Sequence, residues 1–192
     1  MELYISPRHL GCALKCKQMY KKTEPVHIYK SQNTVAFSGT RSVTELSRSL
    51  EMFKTEDDVH KGYKKYAEWC KELIDFDLLN TDEPITLTAH SLGAVAATII
   101  ATQFPYYTFE LVLFGSPKPG GKEFVEDFKT KENISVYNYM HTHDLVQYFP
   151  FTNYKQLTEY TFLNHVPSTR NIIANHSIET YIQNMQMVVK NV

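Results

Sequence analysis

Ile85-Thr86-Leu87-Thr88-Ala89-His90-Ser91-Leu92-Gly93-Ala94 is the stretch on which the reading of this chain turns. Residues 84–89 alternate and end at a turn, and residues 92–103 are rich in Ala, Leu and Ile. The first run predicts a strand and the second a buried helix. A sharp turn between them leaves Ser91 at the apex, in a strained backbone conformation with strand and helix passing close on either side. The positions two before and two after the serine must then be small, and Ala89 and Gly93 satisfy this. An N-cap serine of an ordinary helix would give a similar short pattern, so the rest of the chain has to decide.

Outward from this turn, strand and helix signals alternate. Residues 34–38 are a β-rich run ended by Gly39, residues 107–114 are another ended by Gly115, and residues 134–140 read as a third. Helical spacing covers residues 7–20, with Leu10, Ala13 and Leu14 on one side. It recurs over residues 60–75, with Tyr63, Tyr66, Ala67, Cys70, Leu73 and Ile74, and over residues 177–190, with Ile178, Ile182, Met185 and Val189. Residues 43–53 and 122–131 also read as helices. Apolar central strands alternating with helices predict an α/β fold, a mainly parallel central sheet with helices on both faces. Chemistry in such sheets gathers at the carboxyl ends of the strands. No repeat, low-complexity tract or flexible linker interrupts the pattern, so a single domain over residues 1–192 is expected.

Composition narrows the function classes. The 192 residues are 43% hydrophobic and 21% charged, which suits a globular domain rather than a disordered chain. A formal net charge of −1 gives no global field for nucleic acid, and none is expected as a partner. Lys15, Lys17, Lys21 and Lys22 cluster locally and read as a solvated helix face. Cys12, Cys16 and Cys70 are too few and too scattered for a disulfide framework, and read as free thiols in a reducing compartment. The N-terminal residues lack a charged leader and an apolar core, and no run reaches the ~18 apolar residues of a membrane span. A cytoplasmic location is therefore expected.

Five blocks, in order, carry a resemblance. They are Val35-Ala36-Phe37-Ser38-Gly39-Thr40, Val59-His60-Lys61-Gly62-Tyr63, Thr88-Ala89-His90-Ser91-Leu92-Gly93, Phe114-Gly115-Ser116-Pro117-Lys118, and His143-Asp144-Leu145-Val146 followed by Pro150. Together they resemble the fungal-type, class 3 lipases of the α/β-hydrolase superfamily. The departures are Ala89 for the usual Gly, Ser38 for the usual Arg and Gln147 for the usual Pro. The resemblance implies a compact α/β-hydrolase fold and a serine-dependent hydrolase of lipid esters, either a triacylglycerol lipase or a lysolipid or short-chain esterase.

Ser91 is then the expected nucleophile, and a hydroxyl needs a base to take its proton and a carboxylate to orient that base. In this fold the chain order is Ser, then Asp or Glu, then His. Asp144 follows the strand at 134–140 and lands at the carboxyl edge of the sheet, whereas Glu126 and Asp127 lie on a helix. Two histidines, His165 and His176, lie downstream. His176 is preferred because it opens the last helix, a rigid mount; His165 is the alternative. The oxyanion hole should use the Leu92 N–H and, by resemblance, Thr40. His90 and His60 read as structural. His141 and His143 with Asp144 could suggest a metal, but the triad already accounts for Asp144, so neither metal nor cofactor is expected.

Residues 41–58 occupy the place of the family's lid. Val43, Leu46, Leu50 and Phe53 make a stripe that reads as core more readily than as lid. The expected partners are a lipid ester and, at most, transient contact with a membrane or lipid surface, with no obligate protein partner. The competing reading is a catalytically inactive lipase-like binding or signalling protein. Acyl transfer or thioester hydrolysis would use the same acyl-enzyme with another acceptor.

Overall fold

A computed structural model describes residues 4–40, 58–150 and 153–189. Six strands form one sheet in the order β1 to β6: Val26–Tyr29, Thr34–Phe37, Ile85–His90, Phe109–Phe114, Ile134–His141 and Thr161–Leu163. β1 pairs antiparallel with β2, and every later neighbour pair is parallel. The expected mainly parallel α/β sheet is therefore present. The helix expected over residues 43–53, with its apolar stripe, lies outside the described residues. Two short strands escaped the sequence reading. β1 and β6 are edge strands of four and three residues, too short for an alternation to register.

Among the described residues, helices cover both faces of the sheet. On one face lie α2 (Lys61–Glu72) and α3 (Leu92–Gln103); on the other lie α1 (Pro7–Met19) and α6 (Ile178–Val189). α4 (Lys122–Lys129) follows β4, and the short α5 (Ile172–His176) precedes α6. No described helix is long and apolar enough to cross a membrane.

Strand alternation sorts the core. Val35, Phe37, Leu87, Leu111 and Leu113 pack with the α2–α3 layer, while Val112, Phe114 and Tyr139 pack with α1 and α6. α3 is buried on every side from Leu92 to Ala101, as befits a helix apolar all round between a sheet and a second helix. β3 differs: its face toward α1 carries Thr86, Thr88 and His90. α1 meets these polar groups one by one. Arg8 donates to Thr86 Oγ1 at 2.6 Å, Cys16 Sγ lies 3.3 Å from Thr88 Oγ1, and Tyr20 just beyond the helix lies 2.5 Å from His90 Nδ1.

That polar ladder corrects the expected face of α1. The helix buries His9, Cys12, Ala13, Cys16 and Met19, while Leu14 is 40% exposed and Leu10 only half-buried. Small and polar side chains complement a polar strand better than leucines do, because each buried hydroxyl needs a partner. In α2, Tyr63, Ala67 and Cys70 are buried as expected, but Leu73 at its C-cap is 37% exposed.

The tightest crossing lies where α3 leaves the Ser91 turn. A Cβ on Gly93 would stand 2.5 Å from the Ser38 carbonyl oxygen and 3.1 Å from Phe37 Cβ. Gly93→Ala is expected to force β2 and α3 apart and to lower stability by about 1–3 kcal/mol. Urea unfolding measures this, and an unchanged midpoint would contradict the close approach.

Candidate active site

Ser91 sits between β3 and α3 with φ 58° and ψ −130°, a conformation that L residues rarely adopt. The expected strained turn is therefore present. Its N–H donates to the Phe114 carbonyl at 3.0 Å, tying the turn to the end of β4. The Ser91 side chain does not cap α3, which leaves Oγ free for another partner.

That partner is His176. Its Nε2 lies 2.8 Å from Ser91 Oγ, and its Nδ1 lies 2.7 Å from Asp144 Oδ2. The structure brings together the hydroxyl, imidazole and carboxylate that the sequence singled out. His165 is not among them. It is exposed, and its N–H donates to Asn184 Oδ1 at 2.8 Å. His176 ends the five-residue α5 rather than opening the last helix. Asn171 caps that helix through the Ile173 N–H, and the buried Asn175 side chain clasps Thr169 through both its N–H and its carbonyl.

Asp144 is fully buried and follows β5 by three residues. Its Oδ1 accepts the Val146 N–H at 2.9 Å, and its Oδ2 accepts the Tyr181 hydroxyl at 2.5 Å. Burial pushes this carboxyl up, but facing His176 and the hydrogen bonds from His176, Tyr181 and Val146 outweigh it and hold the carboxyl below its ordinary value. Burial and the Asp144 charge push the Tyr181 phenol well above its ordinary value, so it stays a donor. Gln147, at the family's usual proline, donates to the Asp144 carbonyl at 2.8 Å and so stitches the turn that a proline would stiffen.

His90 turns its ring toward Tyr20 and His176 rather than toward Ser91 Oγ. Its ring stacks on that of His176 with centroids 4.7 Å apart, and its Nε2 donates to the His176 carbonyl at 2.8 Å. His60 caps α2 by accepting the Gly62 N–H at 2.9 Å. His141 points its Nε2 at the Val166 carbonyl, and His143 is exposed.

Leu92 opens α3, where first-turn N–H groups have no acceptor within the helix. Thr40 lies at the same edge. A Cβ on Gly39 would stand 2.6 Å from Ser91 Cβ and 2.8 Å from the His90 carbonyl oxygen, so the backbone just before Thr40 runs against the turn. Ser38 replaces an arginine, yet its stretch is held: Ser38 N–H donates to the Pro25 carbonyl, and Tyr66 donates to the Ser38 carbonyl at 2.9 Å. Beside Leu92 a cavity of about 350 Å³ opens between His60, Tyr63, Tyr66 and Trp69.

The description "Lipase (class 3)" fits residues 31–154 of this chain. The chain belongs to the class 3 lipase family. Phospholipase A1-IIbeta of Arabidopsis thaliana is 27% identical to this lipase-family chain over 143 residues, 65% of the chain and 34% of that enzyme. The chain thus matches about a third of the length of this curated relative. The triacylglyceride lipase of Rhizomucor miehei shares its fold with a TM-score of 0.64 and 15% identity, over 83% of this chain and 82% of that one. A lipase of Rhizopus microsporus var. chinensis aligns with a TM-score of 0.57 and 16% identity, over 78% and 71% of the two chains. The five motifs and the α/β-hydrolase fold they implied agree with these likenesses.

Sequence reasoning missed Tyr20 and the hydroxyl that Tyr181 aims at Asp144. Tyr20 lies 70 residues from its partner His90, and no local pattern links the two.

Complete burial and the neighbouring His176 push His90 down from 6.5 to about 3. The unfolded imidazole takes a proton near 6.5 and the folded one only near 3, so between those values the unfolded chain holds more protons. Stability is therefore full above 6.5 and falls as the pH drops, with a slope approaching about 1.4 kcal/mol per pH unit for this group. His9 and His27, also lowered by burial, act in the same direction. Urea unfolding at pH 7, 5.5 and 4.5 is expected to show this decline in the parent and a shallower one in His90→Gln; parallel slopes would contradict it.

Proposed function

We propose that this chain is a serine-dependent carboxylic-ester hydrolase of lipid esters, with Ser91 as nucleophile, His176 as general base and acid, and Asp144 as the carboxylate that orients it. The observation that carries this is the unbroken hydrogen-bonded line from Ser91 Oγ through His176 to Asp144. Family membership supports the reaction class. The complete triad favours the enzyme over an inactive lipase-like binding protein.

In this reading Ser91 Oγ bonds to the ester carbonyl carbon as its proton passes to His176 Nε2. The buried Asp144 stabilises the imidazolium without taking a proton itself. The negative oxygen forms against the Leu92 N–H and Thr40, and the first-turn position of Leu92 adds the positive end of α3. Collapse breaks the C–O bond, and His176 returns its proton to the leaving alcohol. Water then attacks the acyl-enzyme with His176 again as base, which releases the fatty acid and restores Ser91. No step calls on a metal or a cofactor.

We also propose transient contact with a lipid surface. Leu145 and Tyr148 on the turn after Asp144, and Ile172 and Ile173 on α5, are 40–55% exposed, and the turn and the helix pack together. Large apolar side chains grouped on the two segments that carry the acid and the base support an apolar rim facing the substrate phase. We keep a reducing, cytoplasmic location as part of the reading, supported by three buried free cysteines.

Hydrolysis of p-nitrophenyl esters, lysophospholipid, diacylglycerol and phospholipid tests the reaction and its substrate together. Ser91→Ala is expected to fall to background, and Asp144→Asn and His176→Ala each to lose at least about a hundredfold in turnover. Equal turnover in Ser91→Ala would remove the proposed nucleophile. Ile172→Ser with Ile173→Ser is expected to weaken sedimentation with phosphatidylcholine vesicles while leaving hydrolysis of a water-soluble ester intact; unchanged sedimentation would remove the rim.

A further inference from the structure

We infer that Tyr20 and His90 form a brace that positions the imidazole of His176 and the oxyanion backbone together, through one phenol and one neutral imidazole. The inference rests on the reaction proposed above. Neither residue touches the reacting atoms, so both are positioning residues rather than catalytic ones.

The hydrogen bonds of the brace fix their own direction. The His176 carbonyl can only accept, so His90 Nε2 carries the proton in that 2.8 Å contact. Nδ1 of a neutral ring is then an acceptor, and Tyr20 must donate its hydroxyl proton to it across 2.5 Å. Full burial keeps the His90 ring neutral, which this arrangement needs. The same Tyr20 oxygen accepts the Gly39 N–H at 3.3 Å. One hydroxyl thus joins the strand end that leads to Thr40 with the ring that holds His176.

The mechanical consequence follows from where these groups sit. His176 closes a helix of only five residues, and a last-turn carbonyl has no acceptor role within so short a helix. His90 occupies that carbonyl and covers one face of the catalytic ring at a centroid distance of 4.7 Å and an interplanar angle of 30°. Asp144 holds the ring at Nδ1 and Ser91 Oγ meets it at Nε2, which leaves tilting about the line between them to be stopped by a stacked neighbour. His90 is also joined by one peptide bond to Ser91, so the nucleophile and the support of its base move as a unit. Tyr181 packs edge-on against the same His90 ring with centroids 5.8 Å apart, closing the ring in from the side of Asp144.

The alternation of β3 explains why the brace comes from α1. His90 follows Thr86 and Thr88 on the face toward that helix, and each polar group there takes an α1 partner. Tyr20 is the partner at the end nearest the site. The remote helix therefore bears on the active-site geometry through the residue that caps its C-terminus.

Four proteins decide the matter: the parent, His90→Leu, His90→Gln and Tyr20→Phe, each first checked for cooperative thermal unfolding. Leu removes the donor and the stacked ring. Gln restores an amide donor toward the His176 carbonyl. Phe removes only the hydroxyl and keeps the ring of a half-buried residue, so it stays informative if His90→Leu fails to fold. On a soluble p-nitrophenyl ester, His90→Leu is expected to lose about a hundredfold in kcat with KM within twofold, since misplacing the base by about 1 Å can cost that much. His90→Gln is expected to recover at least tenfold of this loss, and Tyr20→Phe to lose about tenfold in kcat.

A second readout does not depend on turnover. The downfield proton NMR signal of His176 Nδ1–H, assigned by its absence in His176→Ala, is expected to broaden or vanish in His90→Leu and Tyr20→Phe and to persist in His90→Gln. Parent-like kcat and a parent-like signal in Tyr20→Phe or His90→Leu would overturn the brace. If the parent and Ser91→Ala hydrolyse ester equally, the reaction falls, while the NMR comparison still decides whether the brace orders His176.

Discussion

Ser91 holds its backbone at φ 58° because β3 must reverse into α3 within a single residue, and every other part of the site is arranged around that reversal. A residue in this region costs of order 1–3 kcal/mol. Fully burying one Leu or Phe contributes about 1.5–3 kcal/mol. Leu87, Leu111, Leu113 and Phe37 are all fully buried in the core on the α2–α3 side of the sheet, so the core offsets the strain several times over. Strand and helix can pass so close only because Gly93 leaves the Ser38 carbonyl room. The outcome is a hydroxyl raised at the carboxyl edge of the sheet, where β5 delivers Asp144 and α5 delivers His176.

Asp144 is fully enclosed, yet the facing His176 and three hydrogen bonds, from His176, Tyr181 and Val146, keep its proton off. His90 is as deeply enclosed and stays uncharged. The stacked imidazole is therefore a neutral partner for a ring that, in the proposed reaction, gains positive charge. A protonated His90 would oppose that change at a centroid distance of 4.7 Å.

Much of this arrangement could be read from the chain, for physical reasons that differ between residues. The turn around Ser91 was legible because steric limits on Ala89 and Gly93 act within five residues. Asp144 was legible because it follows an apolar strand closely, and the sheet edge then fixes its place. His176 against His165 was a matter of preference, because the clasp of Asn175 on Thr169 that aims α5 has no sequence signature. The buried face of α1 was misread, since its neighbours are the threonines of β3 and hydrophobic spacing alone favoured Leu14. Tyr20 stayed hidden because its partner lies on another element far along the chain. β1 and β6 are too short to reveal a period of two, and tertiary pairing alone makes them strands.

The central claim is that Ser91 is made reactive by His176, and covalent labelling measures this without any choice of lipid. The protein should be treated with an alkyl fluorophosphonate and digested, and the adduct located by mass spectrometry. The account predicts one adduct per chain, on Ser91, formed rapidly in the parent and at least about a hundredfold more slowly in His176→Ala. Labelling spread over other residues, or a Ser91 adduct that forms equally fast without His176, would contradict it.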